Sequence, residues 1–194
     1  MSLDLPGFAD PVLGAQSTFR AVLEAMSRPG TVLQAGGDLT PPAPLCQSAA
    51  AVLLTMIDAD TALHLAPEME SAREWTVFHT TPRLVAALAE ADFALAATMP
   101  KLEHLRAGSD DGPEEGATLI LQVSGFGRGM RLDVAGPGLA TPKLIEIDGL
   151  PADFARQWDD NHRRFPRGVD LILCAGDRLM ALPRSLRITQ VREG

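Results

Sequence analysis

The residues able to do chemistry in this chain are few and scattered. Four histidines (His64, His79, His104, His162), two cysteines (Cys46, Cys174) and two lysines (Lys101, Lys143) stand beside fifteen arginines. No histidine lies four residues from another and no H-E-x-x-H occurs, so a helical zinc site has no ligand spacing to build on. There is no G-x-S-x-G elbow, and neither cysteine carries a nucleophile signature. A pyridoxal phosphate enzyme needs a lysine for its Schiff base. Lys101 lies in a polar segment and Lys143 follows Pro142, and neither setting marks such a lysine. No catalytic residue, metal or cofactor is expected.

The arginines are the remaining candidates, because the guanidinium fork matches phosphate and carboxylate oxygens. Residues 162–167 (HRRFPR) form the densest basic cluster. It offers a phosphate or an acidic partner Arg163, Arg164 and Arg167. The plainer account is a cationic helix end that complements the macrodipole. Arg20 sits one helical turn after Gln16 and one before Glu24, and Ser27, Pro29 and Gly30 bring the chain round directly afterwards. Arg184 adjoins Pro183, and Asp170 opens a strand. Arg20, Ser27, Asp170 and Arg184 together would make a cleft for a phosphate or an acidic side chain. The alternative is an ion pair of Asp170 with Arg20 or Arg184 that only organises the fold. The G-F-G-R-G at 125–129 reads as a hairpin turn, since a phosphate loop needs a helix after it and residues 130–134 read as a strand.

The elements that must position these residues mix helix and strand. A helix is predicted over 11–26, with Asp10 as N-cap, Pro11 at the first position and an apolar stripe of Val12, Ala15, Phe19, Val22, Leu23 and Met26. Further helices are predicted at 45–57, 68–78, 82–90 and 151–163, with one helical turn at 101–106. Strands are predicted at 31–34, 61–66, 93–97, 117–124, 130–134, 169–175, 178–182 and, as an edge strand, 186–191. Gly176-Asp177 is a hairpin signal. Residues 108–116 (GSDDGPEEG) read as an acidic loop and a candidate for disorder. The expected architecture is a single α/β domain over 1–194, with a layered mixed sheet flanked by helices and antiparallel parts.

The totals narrow the function classes. The 194 residues suit one domain, and 46% hydrophobic with 22% charged residues is ordinary globular usage. Net charge is -8 and the pI is about 4.9, which disfavours nucleic acid and anionic lipid as partners. Both cysteines sit in apolar runs and read as buried free thiols. No apolar run approaches a membrane span. Residues 1–10 lack a basic start and an apolar core, so no signal peptide and a cytoplasmic location are expected.

Read in order, the punctuated segments resemble one family. They are QSTFR (16–20), AMSRPG (25–30), LLT (53–55), DADT (58–61), FHT (78–80), EGATLILQV (115–123), GPGL (136–139), FPRGVDLI (165–172) and LPR (182–184). Their order and spacing over nearly the whole chain resemble the PhnH family, the H subunit of the bacterial carbon–phosphorus lyase core complex. Arg167 stands where that pattern has an aliphatic residue, and Ser185 where threonine is usual.

The resemblance implies a fold like that of the pyridoxal-phosphate-dependent transferases, without the cofactor. It implies the PhnG, PhnI and PhnJ subunits as partners, with an ATP-binding subunit associated. It implies a role in alkylphosphonate breakdown, at the step that joins a phosphonate to the ribose of ATP and displaces adenine. The expectation is a non-catalytic subunit that forms a homodimer alone. The alternatives are an arginine-based binding module for phosphate, phosphonate or nucleotide, and an independent pyridoxal enzyme.

Overall fold

The computed structural model describes residues 5–191. Its elements in chain order are α1 (Pro11–Ser27), β1 (Leu33–Gln34), α2 (Gln47–Met56), β2 (Ala62–Leu65), α3 (Arg73–Thr80), β3 (Arg83–Leu84), β4 (Phe93–Ala96), β5 (Thr118–Gln122), β6 (Gly125–Ala135), β7 (Lys143–Asp148), α4 (Phe154–His162), β8 (Asp170–Ala175), β9 (Arg178–Leu182) and β10 (Arg187–Gln190). A seven-stranded sheet runs β1-β9-β8-β5-β4-β2-β3, and a three-stranded sheet runs β10-β6-β7. The strands β3, β2, β4, β5 and β8 are mutually parallel, while β9 returns antiparallel to β8. The expected mixed sheet with flanking helices is what forms.

Strands buried on both faces read as continuous apolar runs, and β5 and β8 do so. Ile120, Ile172 and Cys174 face a core shared with α1 and α2. Leu119, Leu121, Leu171 and Leu173 face the opposite core, with Phe154 and Trp158 of α4 and Leu132, Val134, Ile145 and Ile147 of the small sheet. Burial of these side chains contributes on the order of 1.5–3 kcal/mol each before entropy is subtracted.

The structure departs from the sequence reading at five points. The first concerns α1, whose N-terminus is capped as predicted, Asp10 Oδ1 accepting from Val12 N and Leu13 N at 3.0 Å each. Its buried residues are Thr18, Val22 and Ala25, whereas Val12, Phe19 and Leu23 are 75%, 45% and 52% exposed. The reason is the partner surface. α1 packs on α2, whose Ala49, Ala50 and Ala51 are fully buried, and small residues facing small residues let two helices approach closely. The bulky half of the stripe is left outside.

Three of the other four follow from tertiary pairing. Residues 82–90 form no α-helix but only a 3₁₀ turn at Leu88–Glu90, because Arg83 N and Val85 N donate to Thr61 O and Leu63 O and make β3 an edge strand beside β2. The glycines of 125–129 form no hairpin, because β5 already has β4 and β8 as neighbours. The chain therefore leaves the large sheet, and the glycines make an irregularity within β6, between Phe126 and Met130. Gly127 and Gly129 take φ of +83° and +91° there, which suits a bulge. Residues 143–148 had carried no strand signal, yet form β7. The predicted helix at 68–78 divides into a 3₁₀ segment (Pro67–Ala72) and α3. Cys46 is half-buried and Cys174 buried, both unpaired. Burial pushes the Cys174 thiol well above the ordinary thiol range. Among the described residues no helix is long and apolar enough to cross a membrane.

Candidate functional site

Five of the nine quoted segments close two joints. The first surrounds Arg184, on the turn after β9. Asp170, the first residue of β8, accepts three hydrogen bonds from it: from the backbone N at 2.6 Å, from Nε at 3.0 Å and from Nη2 at 2.5 Å. Nη1 donates to Pro113 O at 2.6 Å, and Nη2 also approaches Gly116 O at 3.4 Å. The side chains of Arg184 and Asp170 are 12% and 20% exposed. Nε and Nη2 share Oδ2 while the backbone N–H takes Oδ1, and a charge-assisted pair that shielded is strongly orienting. Every guanidinium nitrogen already holds an acceptor, so the group has little left to offer a ligand.

The neighbours of this pair explain the local sequence. A Cβ on Gly116 would stand 2.3 Å from Arg184 Nη1 and from Gly168 O, so the acidic loop can close over the arginine only through a glycine. That loop carries a 3₁₀ turn at Pro113–Glu115. Asn161 of α4 brackets Val169, Nδ2 donating to its carbonyl at 2.9 Å and Oδ1 accepting from its N–H at 2.8 Å. Trp158 Nε1 donates to Leu186 O at 2.9 Å, and His162 Nδ1 donates to Arg184 O at 3.2 Å. Asn161 and Trp158 were not singled out in the sequence. Their helical spacing is visible there, but their backbone partners are not.

The second joint lies at the end of α1. Ser27 Oγ donates to Glu24 O at 3.0 Å, and Ser27 O lies only 2.2 Å from where a Cβ on Gly138 would stand. The 25–30 elbow thus closes onto the 136–139 turn. Lys143 Nζ donates to Gly30 O at 2.9 Å. Lys101 Nζ pairs with Asp153 Oδ2 at 2.5 Å, and Asp153 also accepts from Arg156 and Gln157. Lys101 first, then Gln157, hold the Asp153 carboxyl down at about 2. Both lysine amines therefore serve fold contacts.

Arg20 is exposed on α1, with no hydrogen bond or ion pair to any described residue. Among the described residues, no hydrogen bond, ion pair or shared cleft joins Arg20 or Ser27 to Asp170 or Arg184. In the 162–167 cluster, Arg163 pairs with Asp159 and Asp160 behind it on the helix. Arg167 Nε stands 3.0 Å from Asp110 Oδ1, outside hydrogen-bond alignment. Arg164 is half-buried and unpaired among the described residues, and with Lys101 and Arg156 it lines a cleft of about 70 Å³. No three His, Cys, Asp or Glu side chains gather into a metal-binding group among the described residues.

The remaining outward feature is apolar. On a helix, residues seven and four apart share a face, so Val12, Phe19 and Leu23 form one stripe on the solvent side of α1. Leu13, at 61%, flanks it, and Phe78 of α3 is 61% exposed.

Residues 6–189 match the family described as bacterial phosphonate metabolism protein (PhnH). The chain is 36% identical over 186 residues to the H subunit (PhnH) of alpha-D-ribose 1-methylphosphonate 5-triphosphate synthase from Rhizobium meliloti strain 1021, covering 93% of each. It is 33% identical over 176 residues to a putative C-P lyase subunit protein, HtxG, from Stutzerimonas stutzeri, covering 89% of this chain and 85% of the relative. The segments that close the two joints therefore belong to a chain that is a member of the PhnH family of bacterial phosphonate metabolism proteins.

Proposed function

We propose that this chain is a non-catalytic subunit of a carbon–phosphorus lyase core complex, needed where a phosphonate is joined to the ribose of ATP with loss of adenine. Its partners are the PhnG, PhnI and PhnJ subunits. Its fold relates to that of the pyridoxal-phosphate-dependent transferases with the cofactor lost, and it works in the bacterial cytoplasm. Family membership supports the pathway, and the name of the Rhizobium relative supports the step. The engagement of Lys101 and Lys143 in fold contacts supports the loss of the cofactor.

The observation that carries a partner-facing role is the apolar stripe of α1. Exposed apolar residues scattered singly need no explanation, but a row along one helix marks an interaction surface. Alone, the chain covers this surface by pairing with a second copy, as symmetric dimers commonly do. In the complex the same stripe meets a partner subunit. The test is co-purification with PhnG, PhnI and PhnJ, for the native chain and for Leu23→Asp. The native chain co-elutes with all three, while L23D elutes alone and melts at an unchanged temperature. A native chain that stays apart from them contradicts the proposal.

A second reading is an arginine-based site for a phosphate-bearing ligand at Arg164, which is unpaired among the described residues and lines a small cleft with Glu103, Asp160 and the Asp153-bound Lys101 and Arg156. Calorimetric titration with ATP and methylphosphonate tests it. Saturable binding lost in Arg164→Gln supports it, and no heat of binding removes it.

A further inference from the structure

Three turns of the chain meet around one cleft. The first ends α4, where Phe165 N donates to His162 O at 3.0 Å. The second follows β9, where Leu186 N donates to Pro183 O at 3.0 Å before β10 opens at Arg187. The third follows β6, whose last residue, Ala135, stands opposite Arg187 in the β6–β10 ladder. Gly136 and Pro137 turn the chain away from that pair, with Leu139 N donating to Gly136 O at 3.2 Å. The cleft between the turns has a volume of about 380 Å³, within the roughly 300–1,000 Å³ of small-molecule sites.

Its walls are surface and not core. Every lining residue is exposed or half-buried, and Phe165 is 57% exposed. The His162 ring backs Phe165, with centroids 6.4 Å apart and planes at 29°. His162 Nδ1 in turn donates to Arg184 O at 3.2 Å, and Arg184 is fixed by Asp170. The aromatic wall is therefore held in place before any ligand arrives, which lowers the ordering cost of binding. Phe165 and Pro137 both line the cleft, and rigid ring side chains of this kind suit a flat ligand ring.

Arg187 supplies the charge. It is exposed and forms no hydrogen bond or ion pair with any described residue, whereas Arg163 and Arg184 are held by Asp159 and Asp170. Among the described residues no Asp or Glu lines the cleft. Asp133, on the same face of the small sheet, stands opposite Thr189, farther along β10. Ser185 adds a hydroxyl donor to the lining. A free guanidinium fork beside a hydroxyl, with no carboxylate in the lining, favours an anion.

We infer that this cleft binds a planar aromatic ring linked to an anionic group, of which nucleoside monophosphates are the class, with the ring against Phe165 and the phosphate at Arg187. The inference stands apart from the assembly reading and from the cleft at Arg164, because it concerns other residues and is read by direct binding to the isolated chain. The probes are AMP, adenosine (the ring without the phosphate) and ribose 5-phosphate (the phosphate without the ring). They are titrated into isotope-labelled native chain while the Ala135 methyl and the Phe165 ring are followed, together with the Leu102 methyls at the Arg164 cleft.

AMP should give saturable shifts at Ala135 and Phe165, with a Kd on the order of 1 mM or tighter. Adenosine should bind about tenfold more weakly or worse, as for loss of one hydrogen bond to a charged group. Ribose 5-phosphate should bind about tenfold more weakly or worse, as for loss of one stacked base. Phe165→Leu and Arg187→Gln change exposed side chains, so the melting temperature should hold, and each should weaken AMP about tenfold. No saturable AMP binding, equal affinity for adenosine or ribose 5-phosphate, or unchanged affinity in folded F165L or R187Q would each overturn the inference. So would AMP shifts at Leu102 with Ala135 and Phe165 unmoved, which place the nucleotide in the other cleft.

Discussion

Replacing Asp170 with alanine should destabilise the fold more than any change on the exposed arginines. The substitution removes the acceptor of three hydrogen bonds from Arg184 and leaves a guanidinium only 12% exposed without its counter-charge. Stranding one member of a buried pair costs about 3–5 kcal/mol. The residual exposure of both partners and the surviving bonds to Pro113 O and Gly116 O place this case near the lower figure, about 3 kcal/mol. For a chain of this length that lowers Tm by about 6–12 °C. Asp170→Asn retains one carbonyl acceptor and should lose about half as much. Arg184→Met strands Asp170 and also frees the 108–116 loop, so amide exchange at 112–116 should rise more than in D170A. The double variant D170A/R184M should be more stable than the sum of the single losses implies, by at least about 1 kcal/mol. Scanning calorimetry of the native chain and the four variants, with hydrogen exchange, checks all of this. A Tm within about 2 °C of the native value in D170A, or strict additivity in the double variant, would refute the structural role given to this pair.

Arg20→Gln should change stability by no more than about 0.5 kcal/mol, because the residue is exposed and unpaired. Thermal melts and partner assembly measured side by side then show whether Arg20 serves binding. Gly138→Ala should cost at least about 2 kcal/mol in denaturant unfolding, since the residue sits at φ +86° with Ser27 O at 2.2 Å from the added Cβ. Asp153 titrates at about 2 against an ordinary 3.8. A carboxyl depressed by folding adds stability that is present above its unfolded value and is lost as pH falls through its folded value. The stability gap between the native chain and Asp153→Asn should therefore be full above pH 3.8 and closed by about pH 2. A gap that widens on acidification contradicts the Lys101–Asp153 pair.

How much was legible in the sequence differed by kind of signal. Caps and local turns were readable, because Asp10, Pro11 and Gly176-Asp177 act on their own neighbours. The central strands were readable too, because a run such as 117–124, apolar on both faces, has few other places to go. The outward face of α1 was not, since periodicity marks an apolar stripe but the alanines of α2 decide which flank of it is buried. Nor was β7, whose signal arises only beside β6. For the site, Arg184 and Asp170 were chosen as residues and their mutual pair was weighed. Their saturation by Pro113 O and Gly116 O rests on a loop brought from about seventy positions away.

The central claim, that this chain acts through assembly and not through chemistry of its own, is tested most directly by reconstitution. Purified PhnG, PhnI, PhnJ and the ATP-binding subunit are combined with ATP and methylphosphonate, with and without this chain, and alpha-D-ribose 1-methylphosphonate 5-triphosphate is followed by phosphorus NMR. The account predicts product only when this chain is present with its partners, none from the chain alone, and loss of product with L23D. Product from the chain by itself, or an equal rate in its absence, would contradict it.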